Sequence, residues 1–196
     1  MYNKLNINEN SLKTISLFSQ GYDESFHIRQ LAGIIGISVR TAQIILNYLE
    51  DKSILTSSFV GKSKIYKLNK NTISYNYILL AEQYKKIGFL ESNQLIGEVC
   101  DKLAFFTKGS IIVFGSYAKD NADDKSDLDI FVIGEIDRKR IKEISETYNI
   151  EINPKIYSLE DIDKRKPKDF LIREVLDNHI IIKGGETFLD IVFDGR

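Results

Sequence analysis

The stretch IIVFGSYAKDNADDKSDLDIFVIG, residues 111–134, constrains this chain of 196 residues more than any other. Ile111 to Phe114 is a short, branched apolar run and reads as a buried strand that ends at Gly115-Ser116. Ten polar-rich residues then separate Ser116 from Asp127-Leu128-Asp129, which opens a second apolar strand, Leu128 to Ile133. Strand alternation sends Asp127 and Asp129 to one face and Leu128 and Ile130 to the other. Two carboxylates converging on one face repel each other unless a cation pairs them. A hard cation such as Mg²⁺, which prefers oxygen ligands and shares itself with substrate phosphates, is the natural partner. Gly115 lets the backbone approach a phosphate closely. Ser116 can add its hydroxyl and open a short helix whose N–H groups face an anion.

Downstream the pattern stays α/β. Asp137 to Tyr148 is expected as a helix, Ile150 to Tyr157 as a third strand, Asp169 to Asn178 as a helix and His179 to Ile182 as a short strand. Pro154 marks a strand irregularity and Pro167 a segment break; Lys183-Gly184-Gly185-Glu186 reads as a strand-to-helix turn.

The G-S-x10-D-x-D pattern resembles the minimal nucleotidyltransferases of the polymerase-beta-like superfamily. The resemblance covers roughly residues 95–195, with 111–134 carrying the strong signal. It implies a mixed sheet with flanking helices, and metal-dependent transfer of a nucleoside monophosphate from an NTP to an acceptor hydroxyl with release of pyrophosphate. It further implies that Gly115 and Ser116 hold the triphosphate, that Lys119 neutralises phosphate charge, and that Asp127 and Asp129 hold Mg²⁺ or Mn²⁺. ATP is the expected nucleotide. A third carboxylate of that family sits on a later strand. Glu151, flanked by Ile150 and Ile152, is the candidate here, although Asp is commoner there; Asp161 and Asp163 are alternatives in a charged segment. Asp120 stands where the family often has Gly. Asp123, Asp124 and Lys125 read as a solvated loop, and Ser126 as a cap for the strand turn.

Composition narrows the chemistry. One cysteine (Cys100) and two histidines (His27, His179) cannot build a Cys/His zinc site or a disulfide scaffold. Catalysis would rest on carboxylates, hydroxyls and bound metal. Cys100 reads as a small hydrophobe in an amphipathic helix, His179 as a packing or turn residue, and His27 as the exposed start of a helix. No apolar run of about 18 residues is present, and MYNKLNINENSLK is too polar for a secretory signal. A cytoplasmic protein with no membrane partner is the expectation.

The first third of the chain has a different grammar. Leu12, Ile15 and Phe18 recur at helical spacing from Ser11 to Gln20. Ile28, Leu31 and Ile35 do so from His27 to Ile35, and Ala42, Ile45, Leu46 and Leu49 from Ser38 to Asp51. Gly36-Ile37-Ser38 is a tight turn that ends in a helix cap. Ile54 to Phe59 and Lys64 to Leu68 read as two strands joined through Val60-Gly61-Lys62-Ser63. The stretch FHIRQLAGIIGISVRTAQIILNYLEDKSIL resembles the winged helix-turn-helix family, over residues 10–68. In such a module the third helix enters the major groove of duplex DNA, which assigns Val39, Arg40, Gln43 and Asn47 to base edges and phosphates. The hairpin wing offers Lys62, Lys64 and Lys67 to phosphates.

The net charge of −1 hides an asymmetry. Residues 1–70 hold nine basic against five acidic side chains, and the remaining 126 residues hold 18 against 23, so +4 cancels against −5. A positive small module beside a negative larger one suits a DNA reader attached to something else.

Between them, Tyr77, Leu80, Ala81, Tyr84 and Ile87 form one amphipathic face ending at Gly88, and Leu95, Ile96, Val99, Leu103 and Phe106 form another. They can pack on a neighbouring domain or form a homodimer contact. The expected fold is α+β: a winged helix-turn-helix domain at 1–70, linker helices at 71–107, and a mixed-sheet nucleotidyltransferase domain at 108–196. The acceptor hydroxyl would belong to a partner protein or a small molecule, as in antitoxin-like modifying components of toxin–antitoxin pairs. The alternative is a DNA-binding regulator or antitoxin whose nucleotidyltransferase fold senses nucleotide without turnover.

Overall fold

A computed structural model describes residues 7–123, 126–165 and 169–193, with the side chains of 163–165 outside that description. Asp124, Lys125 and Pro167, and the side chain of Asp163, therefore lie outside the described residues. The chain divides into two compact units, Met1–Ala81 and Glu82–Arg196.

In the first unit, α1 (Glu9–Leu17) is capped by Asn8, whose side chain accepts from the Ser11 N–H. β1 (Ser25–His27) follows, a strand that the sequence does not display, because three residues are too few to show alternation; of these, only His27 reads from the sequence as part of the next helix. His27 instead caps α2 (Ile28–Ile35), its Nδ1 accepting from the Gln30 N–H at 3.1 Å. Gly36, at φ +75°, closes α2 in the left-handed conformation that a residue without Cβ adopts cheaply. Ser38 caps α3 (Val39–Asp51), and α2 and α3 stand at 112°, within the range of a helix-turn-helix. β2 (Leu55–Val60) and β3 (Ser63–Leu68) form the hairpin, with Gly61 at φ +60° in its turn. The sheet order is β1-β3-β2. Ala42, Leu46 and Leu49 are wholly buried with Leu31, Phe18 and Tyr66. This order of helices and hairpin is compatible with a winged helix-turn-helix.

The division between the units falls inside α4 (Thr72–Ser92). Gly88 does not end that helix as its sequence suggested; the break comes at Asn93, whose side chain donates back to the Phe89 carbonyl. A single helical glycine costs only about 1 kcal/mol, which the surrounding turns offset.

The second unit continues through α5 (Gln94–Phe106), β4 (Thr107–Val113), β5 (Leu128–Ile136), α6 (Arg138–Tyr148), β6 (Ile152–Tyr157), α7 (Leu159–Arg165), α8 (Phe170–Asp177), β7 (Ile180–Lys183) and α9 (Gly185–Phe193). The sheet order is β6-β5-β4-β7, with β5 and β6 parallel and the other pairs antiparallel, so the sheet is mixed. Pro154 sits on β6, an edge strand, where its missing N–H is tolerated.

One sheet face presents Ile111, Val113, Leu128, Ile130 and Val132 to a core that includes Val99, Cys100 and Leu103 of α5 and Ile141 and Ile144 of α6. Each fully buried Ile or Leu there is worth about 1.5–3 kcal/mol relative to exposure. That layer holds the end of β4 and the start of β5 together, and with them the residues of the candidate site. Cys100 is fully buried, and burial pushes its thiol up to about 12, so it acts as a hydrophobe.

Candidate active site

The site lies where the C-terminal end of β4 meets the N-terminal ends of β5 and β6. Antiparallel pairing sets Val113 opposite Ile130, and the Phe114 N–H donates to the Asp129 carbonyl at 3.1 Å. The backbone therefore brings Gly115 directly to Asp129. Gly115 has φ +70°, and a Cβ placed on it would collide with the Asp129 carboxylate. The glycine is required on both counts: for its backbone conformation and for the space that the carboxylate fills.

Asp127 is exposed and Asp129 half-buried. Burial, then the neighbouring charge of Asp127, hold the Asp129 carboxyl above its ordinary value. A hydrogen bond from Asn153 and the charge of Lys155 act the other way, and Glu174 adds to the rise. Parallel pairing sets Asn153 beside Asp129, on the same face of the sheet, and its amide also donates to Asp127 Oδ2 at 3.3 Å. Like charges on one face, with oxygen donors aimed at a common side, form a donor set suited to a hard divalent cation.

Glu151 stands just before β6 rather than within it. Its carbonyl accepts from the Leu128 N–H at 2.8 Å, which ties β6 to the D-x-D strand, while its side chain is exposed. Among the described residues no three His, Cys, Asp or Glu side chains are gathered as a metal-holding group. The structure thus brings Asp127 and Asp129 together with Gly115 and leaves the Glu151 side chain outside that group. The alternative Asp161 is engaged at the start of α7, accepting from the Ser158 hydroxyl at 2.8 Å.

Residues 115–120 form consecutive turns, not the short helix anticipated after Ser116: Lys119 N–H donates to Gly115 O at 3.2 Å and Asn121 N–H to Ser116 O at 3.1 Å. Asp120 takes φ +54°, a left-handed conformation that favours glycine and that aspartate tolerates. Lys119 is ion-paired with Glu174 of α8 at 2.7 Å. Ser126 donates its hydroxyl to Asp123 and accepts from the Asp123 N–H, closing the turn before β5.

Asn153, Lys155 and Glu174 escaped the sequence reading. Alternation from Glu151 puts Asn153 and Lys155 on the same face and could have found them. Glu174 has no such signal, because the chain that brings it to Lys119 runs through α7 and α8.

His179 is buried beside Glu82 and Lys85. Its Nδ1 lies 3.1 Å from the Leu176 carbonyl, which can only accept, so Nδ1 carries a proton. Its Nε2 faces Glu82 Oε1 at 3.2 Å and Lys85 Nζ at 3.3 Å, and Lys85 also reaches Glu82 at 2.9 Å. Burial, then the Lys85 charge, hold His179 below its ordinary value, so the ring is neutral near pH 7.

On the first unit, Arg40 and Asn47 are exposed and Gln43 half-buried; Gln43 donates to Asn47 at 2.6 Å. Val39 is about half exposed. Lys62 and Lys67 are exposed, whereas Lys64 pairs with Glu50 at 2.6 Å and lies over the Tyr66 ring. Glu50 is held below its ordinary value by the hydrogen bond from Lys64 and then that from Ser57.

Residues 92–183 match the family described as "Nucleotidyltransferase domain", which supports a nucleotidyltransferase fold in this part of the chain and nucleotidyl transfer in general. No curated protein matches the chain. A solved structure described as "Structure of TrmBL2, an archaeal chromatin protein, shows a novel mode of DNA binding" is similar at 12% identity, covering 88% of this chain and 71% of that one. Its TM-score of 0.29 is too low to carry structural or functional weight. Among the described residues no single helix is long and apolar enough to cross a membrane.

Proposed function

We propose that the protein moves a nucleoside monophosphate from an NTP, ATP in the first instance, to a hydroxyl of a partner protein or small molecule. The fit between Gly115 and the Asp129 carboxylate carries this reading. It sets a glycine just after β4 directly against one of the two carboxylates of the D-x-D strand, which supports a compact site at that strand end.

In this reading 108–196 is the transfer domain, 71–107 the connecting helices and 1–70 a reader of duplex DNA. Asp127 and Asp129 would hold Mg²⁺ or Mn²⁺, with Glu151 as a third ligand if its side chain turns inward. Such a cation, when bound, supplies positive charge to the acceptor oxygen and to the leaving pyrophosphate. The chain's own residues do the positioning. Gly115 and Ser116 cradle the triphosphate, Lys119 offsets its charge, and Asn153 orients Asp127. The acceptor oxygen bonds to the α-phosphorus as the bond to pyrophosphate breaks, and the hydroxyl proton is released to solvent. Incubation with each labelled NTP, Mg²⁺ or Mn²⁺, and candidate acceptors tests this; transfer surviving in the double variant Asp127→Ala/Asp129→Ala would refute the carboxylate assignment.

The exposed Glu151 side chain favours a second reading, a regulator or antitoxin that senses nucleotide without turnover. Saturable NTP binding without transfer, coupled to altered DNA affinity, would select it. In either case the winged helix would use Val39, Arg40, Gln43 and Asn47 in the major groove, with Lys62, Lys64 and Lys67 on the backbone. Cytoplasmic location, a homodimer through the 75–106 helices and a toxin–antitoxin context belong to the same proposal.

A further inference from the structure

Lys119 and Glu174 come from distant parts of the second unit, the turns after β4 and helix α8. Their side chains meet at 2.7 Å, with 37% and 26% of their surfaces exposed. Few surface ion pairs carry functional meaning, because most are worth little. This one differs in its surroundings. Lys119 lies on the turns that begin at Gly115, its own N–H bonded to the Gly115 carbonyl. Gly115 in turn packs against the Asp129 carboxylate, so the lysine and the Glu174 it holds sit on the turns next to that group. The pair therefore borders the carboxylate site, and its acidic member adds a further negative charge where a polyanion must come.

We propose that Glu174 is a positioning residue that competes with nucleotide phosphate for Lys119. The ion pair is a clasp that a triphosphate opens by exchanging one anion for another on the same ammonium. This rests on the reading of Lys119 as a phosphate-facing residue and adds to it the group that sets its availability. Two effects oppose each other. Glu174 holds the flexible lysine side chain at the site, which lowers the entropy lost when phosphate arrives. It must also surrender the ion pair, and its charge repels the incoming phosphates. In a part-exposed pair beside two more carboxylates, the loss and the repulsion outweigh the ordering. Glu174 thus weakens nucleotide binding while it holds Lys119 in place between binding events.

The test uses the full chain and equilibrium binding of a fluorescent ATP analogue with Mg²⁺, competed with unlabelled ATP and with inorganic triphosphate. Glu174→Gln keeps the shape and removes the charge, and is expected to tighten binding two- to fivefold, the range a part-exposed ion pair sets. Lys119→Ala is expected to weaken it about tenfold, Lys119→Arg to restore most of that loss, and Glu174→Gln on the Lys119→Ala background to gain less than twofold. Inorganic triphosphate should show the same pattern, since the clasp recognises phosphate charge and not the base. Thermal melting of each variant checks that the fold is kept, and Glu174→Ala serves as a second variant. Unchanged or weaker binding in both folded Glu174 variants, or equal gains with and without Lys119, overturns the clasp. Wild-type protein that binds no nucleotide overturns the site reading and the clasp with it; binding that ignores Lys119→Ala overturns the clasp while leaving a nucleotide site intact.

Discussion

The Asp129 carboxylate fills the space that a side chain on residue 115 would need. Glycine at the end of β4 and aspartate at the start of β5 are therefore one structural unit, joined by the hydrogen bond from the Phe114 N–H to the Asp129 carbonyl. Gly115→Ala is expected to force the carboxylate aside and to strain a backbone at φ +70°. The predicted cost is about 1–3 kcal/mol of stability, read by chemical denaturation, with loss of nucleotidyl transfer. A variant that keeps wild-type stability and activity would show that the carboxylate moves freely, contrary to this packing.

Burial and Asp127 hold the Asp129 carboxyl above its ordinary value, so the folded state disfavours its charged form. A carboxyl whose value is raised on folding lowers stability above its unfolded value, and this penalty is relieved as pH falls. Asp129→Asn should therefore melt higher than wild type at pH 7, by about a few degrees, while losing transfer activity. The gain should shrink toward pH 4. A lower melting temperature at pH 7 would mean that the carboxylate stabilises the fold through contacts the amide cannot keep.

His179 gives the opposite pH signature. Its ring is held below 6.5 by burial and by Lys85, with Glu82 pulling the other way. The unfolded chain takes up a proton near pH 6.5 that the folded chain resists, so stability present above that pH is lost as pH falls through the window below it. One such proton contributes at most about 1.4 kcal/mol per pH unit. Melting curves between pH 8 and pH 5 should show His179→Gln with a shallower acid slope than wild type. Equal slopes would assign the acid loss to other groups.

The wing lysines should not be equivalent. Lys64 is engaged with Glu50, while Lys62 and Lys67 are exposed. If the first unit binds duplex DNA, Arg40→Ala, Lys62→Ala and Lys67→Ala should each weaken binding and lower the salt dependence by about one ion. Lys64→Ala should weaken it less, and Glu50→Gln should strengthen it by freeing Lys64. Gel shifts across a salt series would show this; equal losses at all three lysines would mean that DNA takes Lys64 from Glu50 at no cost.

Cys100 should resist a thiol reagent in the folded protein and react only on unfolding, because its thiol is buried and pushed up to about 12. Rapid labelling in native buffer would instead report local opening of α5.

Much is legible in the sequence because it is local. Helical periodicity set α3, with Ser38 as its cap, and alternation set β5 with Asp129 away from Leu128 and Ile130. Period and capping depend on neighbours a few residues apart, which a sequence displays directly. The same locality explains the misses. Three residues of β1 show no period, and a glycine at 88 resembles a break unless the flanking turns are known to pack.

The chain order alone determined that two apolar strands would carry Gly115-Ser116 and Asp127-x-Asp129, and that a basic helical module would precede an acidic α/β one. Only the tertiary structure decided that Gly115 and Asp129 interlock, that the Glu151 side chain stays exposed while Asn153 reaches Asp127, and that Glu174 claims Lys119. Those relationships depend on strand register and on where α8 returns to the sheet. Burial and pairing across dozens of residues set both, and no local pattern encodes them.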